Sequence, residues 1–135
     1  MDQKIRDLCD NLIAMESQDA ARWLINNFPA GSQNSGYAFQ MIGHRSWRRA
    51  DQKILATHYL STIPFANSRG YEVFASFMSV GSLLSCIKPY IPKEEVKLDL
   101  LRYNLLPVLL KSAKNEKDRS LITKFFDDLQ IISHT

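Results

Sequence analysis

The sequence predicts an all-α fold, a single domain of about seven helices over residues 1–135. Three observations carry this. Apolar residues recur at helical spacing along nearly the whole chain. No segment alternates apolar and polar residues over a strand length, and no Asn-Gly or Asp-Gly hairpin turn occurs. The 135 residues, 45% hydrophobic and 23% charged, suit one folded domain and are too apolar for intrinsic disorder.

Ile5, Leu8, Cys9, Leu12 and Ile13 share one stripe and define the first helix. Ser17 is the expected N-cap of a second, with Asp19 near its positive end and Ala20, Leu24 and Phe28 facing inward until Pro29. Residues 29–36 combine proline, glycine and small polar side chains and read as a loop. Tyr37 to Ile42 forms a short helix closed by Gly43. Ser46 is the expected N-cap of a fourth helix through Ala50, Ile54, Leu55, Tyr59 and Leu60, stopping before Pro64.

Val73, Phe74, Phe77, Met78, Gly81, Leu84 and Ile87 predict a fifth helix. Its small residues Ala75, Ser76, Ser79, Ser82 and Ser85 suggest close packing around most of its circumference and a central position. The span between Glu72 and Lys88 is too short to cross a bilayer. Pro92, Glu94 and Glu95 open a sixth helix whose inward stripe is read as Val96, Leu100, Tyr103, Leu106 and Leu110, with a bend near Tyr103 caused by Pro107. Asn115 caps a seventh, carrying Leu121, Ile122, Phe125, Phe126, Leu129 and Ile132.

Seven helices joined by short loops suit an irregular bundle, or a short stack of helical hairpins that resembles the HEAT and armadillo class in architecture. Proline-bearing breaks at Phe28-Pro29, Ile63-Pro64 and Ile91-Pro92 recur, but the segments between them share no further pattern. Cys9 and Cys86 lie among apolar helical residues and read as small core side chains. With no basic-then-apolar leader and no long apolar run, the reducing cytoplasm is the expected compartment.

Net charge is +3 and unevenly spread. Residues 1–44 carry Asp2, Asp7, Asp10, Glu16 and Asp19 against Lys4, Arg6 and Arg22, whereas residues 45–92 carry Arg45, Arg48, Arg49, Lys53, Arg69 and Lys88 against Asp51 and Glu72. That polarity can steer a charged partner.

The residues that could do chemistry are scattered. His44, His58 and His134 neighbour no second metal-type ligand, so neither a metal nor another cofactor is expected. His58 follows Asp51 by two helical turns, which permits a carboxylate-oriented base but also an ordinary hydrogen-bonded helix residue, with nucleophile and oxyanion donors missing. Ser85 and Lys88 match Ser-x-x-Lys without the companion motifs of the serine acylases. The glycines form neither phosphate-loop pattern, and the adjacent carboxylates Glu94-Glu95 and Asp127-Asp128 point to different sides of their helices.

Residues 44–53 rise furthest above background: Arg45, Trp47, Arg48, Arg49 and Lys53 set an indole among cations at a helix start. Arginine forks pair with phosphate or carboxylate and tryptophan offers a stacking surface. Equally, Trp47 can be the first core residue of its helix, with the arginines solvated.

Three functions follow as expectations. The first is a non-enzymatic protein-binding module, in the manner of immunity proteins, antitoxins and small adaptors. Its most specific form neutralises a basic toxin through Asp2, Asp7, Asp10, Glu16 and Asp19. The second is nucleic-acid binding through Arg45, Arg48, Arg49 and Lys53, with Arg69 as a further candidate and Trp47 stacked on a base. The third is an enzyme using His58 or the serine-lysine pair, for which the supporting constellation is missing.

Overall fold

The computed structural model describes residues 2–133, with side chains described through Gln130. Among the described residues there are eight α-helices and no strand. The chain divides into two compact units, Met1–Tyr59 and Leu60–Thr135.

In the first unit, α1 (Gln3–Ile13) starts where the Asp2 carboxylate accepts from the Lys4 N–H at 2.9 Å, supplying a partner for one orphan donor of the first turn. Ile5, Cys9 and Leu12 are buried, as the stripe requires, but Ile13 at its edge is exposed. Burial raises the Cys9 thiol pKa, with a smaller push from Asp10, so this sulfur behaves as a core atom. Cys86 is free and half-buried.

The second helix, α2 (Ser17–Asn27), begins with Ser17 already helical and Glu16 in the capping position, so Ser17 does not cap it. The loop before α3 (Ser35–Ile42) contains Gly31 at φ 80°, a left-handed conformation that glycine adopts without steric cost. Helix α4 (Arg49–Leu60) starts three residues beyond Ser46, so that serine does not cap it either. Its core face is Leu55, Ala56, Tyr59 and Leu60, with Ile54 turned to solvent.

In the second unit the expected fifth helix is two helices, α5 (Arg69–Ala75) and α6 (Val80–Ile87). The chain turns at residues 76–79, and the Ser79 hydroxyl accepts from the Ser82 N–H at 3.1 Å to start α6. The apolar phase survives this turn, which is why periodicity alone joins the two segments. Tyr71, Phe74, Leu83, Leu84 and Ile87 are buried. Ser76, Ser79 and Ser85 are exposed, so the small residues do not form a buried circumference.

A 3-10 turn at Lys88–Tyr90 leads to α7 (Glu95–Ser112) and then α8 (Glu116–Ser133). The Asn115 side chain accepts from the Asp118 N–H at 2.9 Å, and the Asp118 carboxylate accepts from the Lys114 N–H at 3.0 Å, a reciprocal cap. Ile122, Phe125, Phe126 and Leu129 are buried on α8. The side chain of Ile132 and all of His134 lie outside the described residues.

Helix α5 packs on α6 and α7 on α8, while α5 also packs on α7 and α6 on α8. This is one helical hairpin stacked on another. Pro107 lies inside α7, which continues to Ser112.

Candidate functional site

The cluster at residues 45–53 is first of all a junction within the first unit. The Trp47 ring is buried, with 7% of its surface exposed, and its indole N–H donates to the Ile42 carbonyl at the end of α3, at 2.9 Å. The Arg45 guanidinium lies 4.6 Å from the centre of that ring. It donates to the Leu12 carbonyl and, at 3.0 Å, to the Met15 carbonyl, so one cation satisfies acceptors just where α1 ends.

Asp51, only 4% exposed, accepts a hydrogen bond from the Ser17 hydroxyl at 2.6 Å. The same hydroxyl accepts from the Arg48 N–H at 3.0 Å. Ser17 therefore caps α4 from the start of α2, and Asp51, in the first turn of α4, holds the hydroxyl in place. Arg48 also meets Glu16 at 3.4 Å, a largely exposed pair of little energetic weight.

Glu16 of the acidic segment and Arg48 of the basic cluster thus meet at this junction. Asp7, Asp10, Glu16 and Asp19 are all exposed, and so are Arg48, Arg49 and Lys53. Arg45 and Trp47 are instead committed to internal contacts. A small polar depression of about 420 Å³ opens beside them, lined by Met15, Glu16, Ser17, Ser46 and Arg48 among others.

Asp51 and His58 are each held by different partners. The His58 Nε2 accepts from the Ala30 N–H at 3.0 Å, while the neighbouring Tyr59 hydroxyl donates to the Phe28 carbonyl at 2.6 Å. These two side chains of α4 fasten the start of the 28–34 loop. Because Nε2 accepts, the ring proton of the neutral form sits on Nδ1. Desolvation by burial lowers the His58 pKa below its ordinary 6.5, while burial pushes the Tyr59 phenol well upward.

This fixes a pH dependence. A histidine whose folded pKa is lowered contributes its stability fully above the unfolded value of 6.5 and loses it as pH falls through the folded value. Between pH of about 7.5 and about 5, the urea midpoint of the natural chain is expected to fall further than that of His58→Gln, whose amide oxygen accepts at either pH. Equal acid sensitivity in both chains would refute this latch.

In the second unit, the face of α7 turned to the core carries Leu98, Leu101, Leu105, Val108 and Leu109, with Asn104 donating to the Phe65 carbonyl at 3.3 Å. The stripe read as inward points the other way. Val96 is 79% exposed, Tyr103 78% and Leu110 54%, with Leu100 also exposed and Leu106 half-buried. Leucines and valines lie on both sides of this helix, so periodicity offers two apolar stripes. Burial of one leaves the other in water.

Beside this face lies an open groove of about 1100 Å³, lined by Ser68, Glu72 and Ala75 on the α5 side and by Tyr103, Pro107 and Lys111 on α7. Its charged neighbours are partly neutralised, since Arg102 meets Asp99 at 3.0 Å and the Ser68 hydroxyl donates to Glu72 at 2.9 Å.

Ser85 donates its hydroxyl to the Gly81 carbonyl of its own helix at 3.0 Å. Among the described residues no three His, Cys, Asp or Glu side chains are grouped to hold a metal ion, and no helix is long and apolar enough to cross a membrane. No protein family, no curated protein and no solved structure matches this chain.

Proposed function

We propose that this chain is a non-enzymatic protein-binding module working in the cytoplasm, with the outer face of α7 as its main contact surface for another protein. The supporting observation is the exposure of Val96, Leu100, Tyr103 and Leu110 along one side of a helix whose opposite side is core. Large apolar and aromatic side chains left together in water are the usual material of interaction hot spots.

The test places a photo-crosslinking residue at position 103, with a second chain carrying it at the exposed Thr123 of α8 as control. One protein of the source cells should be captured from 103 and not from 123, and its purified form should bind the natural chain. Tyr103→Asp should abolish that binding while changing stability by no more than about 0.5 kcal/mol, because the ring is exposed. Equal capture at both positions, or undiminished binding by Tyr103→Asp, would remove the surface from the proposal.

Within this reading, the most specific form is an immunity or antitoxin protein that neutralises a basic toxin. The exposure of Asp7, Asp10, Glu16 and Asp19 on the first two helices and the residue before α2 supports it, since such carboxylates steer cationic partners. Alanine at all four positions should then slow association with the captured protein, most strongly at low salt. Unchanged association would eliminate the toxin-neutralising form. For nucleic acid, burial of the Trp47 ring takes away the stacking surface that such a reading needs.

A further inference from the structure

We infer that the outer face of α7 takes an amphipathic helix of another protein, one that carries carboxylates along the flank meeting Lys97 and Lys111. This rests on the protein-binding reading above and specifies the chemistry of the partner.

The helical form of the occupant follows from spacing. Val96, Leu100, Tyr103, Pro107 and Leu110 follow one another at intervals of four, three, four and three, the seam of a coiled coil in which knobs of one helix enter holes of another. The seam is about 21 Å long at 1.5 Å per residue, enough for four turns of a partner. Helix α7 packs on α5 and α8 with its core side, and the outward seam is left uncovered, with Tyr103 and Pro107 lining the groove beside α5. In addition, Pro107 has no N–H, so the Tyr103 carbonyl lacks its usual donor four residues on and can accept from a partner side chain.

The charge of the occupant follows from the flanks. Between Asp99 and Glu116 the charged residues are Arg102, Lys111 and Lys114, with no carboxylate among them. Arg102 is matched by Asp99, and Lys97 meets Glu94 at 3.5 Å in an exposed pair that water already screens. Lys97 and Lys111 stand two heptads apart on the same side of the seam. Carboxylates on an approaching helix would lie against both.

A second copy of this chain fits less well. Antiparallel pairing centred on Tyr103 sets Lys97 against Lys111 of the other copy, like charge against like. Parallel pairing sets Leu106 against Lys111 and Pro107 on Pro107, while Asp99 meets no cation because position 104 is buried against Phe65, so no flank is complementary.

The experiment uses the full chain and two synthetic helical peptides of about 18 residues, about 27 Å at 1.5 Å per residue and so long enough to cover the seam. Both have the same leucine seam; one has glutamates on its flanks and the other lysines. Fluorescence anisotropy at low salt should show the glutamate peptide binding roughly tenfold more tightly, with the difference shrinking as salt is added. Lys97→Glu with Lys111→Glu should reverse the preference, and Tyr103→Asp should abolish binding of both peptides. Circular dichroism should show every variant folded, since these side chains are exposed.

Equal affinity for the two peptides would overturn the assigned charge. Binding of neither would overturn the helical occupant, as would a dimer in sedimentation that Tyr103→Asp converts to monomer. Any of these results leaves the wider reading to stand or fall on the crosslink from position 103, so the two failures are separable.

Discussion

Trp47→Ala is expected to destabilise the first unit by about 3–5 kcal/mol, the cost of emptying a large buried aromatic site. The ring is 7% exposed and its N–H holds the last turn of α3, so the loss combines a cavity, an unpaired Ile42 carbonyl and a guanidinium without its ring. Because a small domain has only about 5–15 kcal/mol in total, the variant should unfold at markedly lower urea. Trp23 and Trp47 both belong to the Met1–Tyr59 unit, so in this variant the fluorescence of Trp23 reports that unit alone. If Trp47 served instead as a surface for a partner, the same exchange would leave stability within about 0.5 kcal/mol.

The second large effect is expected at Asp51, where exchange for alanine should cost about 2 kcal/mol, in the range for hydrogen bonds to a charged group. The carboxylate receives the Ser17 hydroxyl and lies in the first turn of α4, where negative charge opposes the helix dipole favourably. Ser17→Ala should cost about 1 kcal/mol, since it removes the cap on the Arg48 N–H. The double variant should lose less than the two single losses together, by at least about 0.5 kcal/mol, as expected of groups in one network. Strict additivity in urea denaturation would mean that the three groups do not act as a unit.

These two sites show how far local reading reaches. Ser17 and Ser46 both have the chemistry of helix caps, and each stands near a helix start, yet neither caps the helix start nearest to it in the chain. The Ser17 hydroxyl is drawn to Arg48 and Asp51, more than thirty residues away. Asn115 behaves as its surroundings suggest because its partner, the Asp118 N–H, is local. Likewise, the basic look of residues 45–53 is plain from composition, but the burial of Trp47 and the bonding of Arg45 to backbone carbonyls depend on the ends of α1 and α3.

The all-helical class, the caps whose partners lie within one turn, and the single clear stripe of α8 are settled by the chain's own periodicity and local hydrogen bonding. The split between α5 and α6 is carried by a local signal too, the Ser79 cap, but an unbroken apolar phase masks it. The face that α7 shows to water is decided only by packing. With Leu98, Leu101 and Leu105 on one side and Val96, Leu100 and Tyr103 on the other, both stripes are apolar enough to be core, and hydrophobic transfer is indifferent to direction. Contact with α5 and α8 buries the first stripe, and that choice leaves Tyr103 in water.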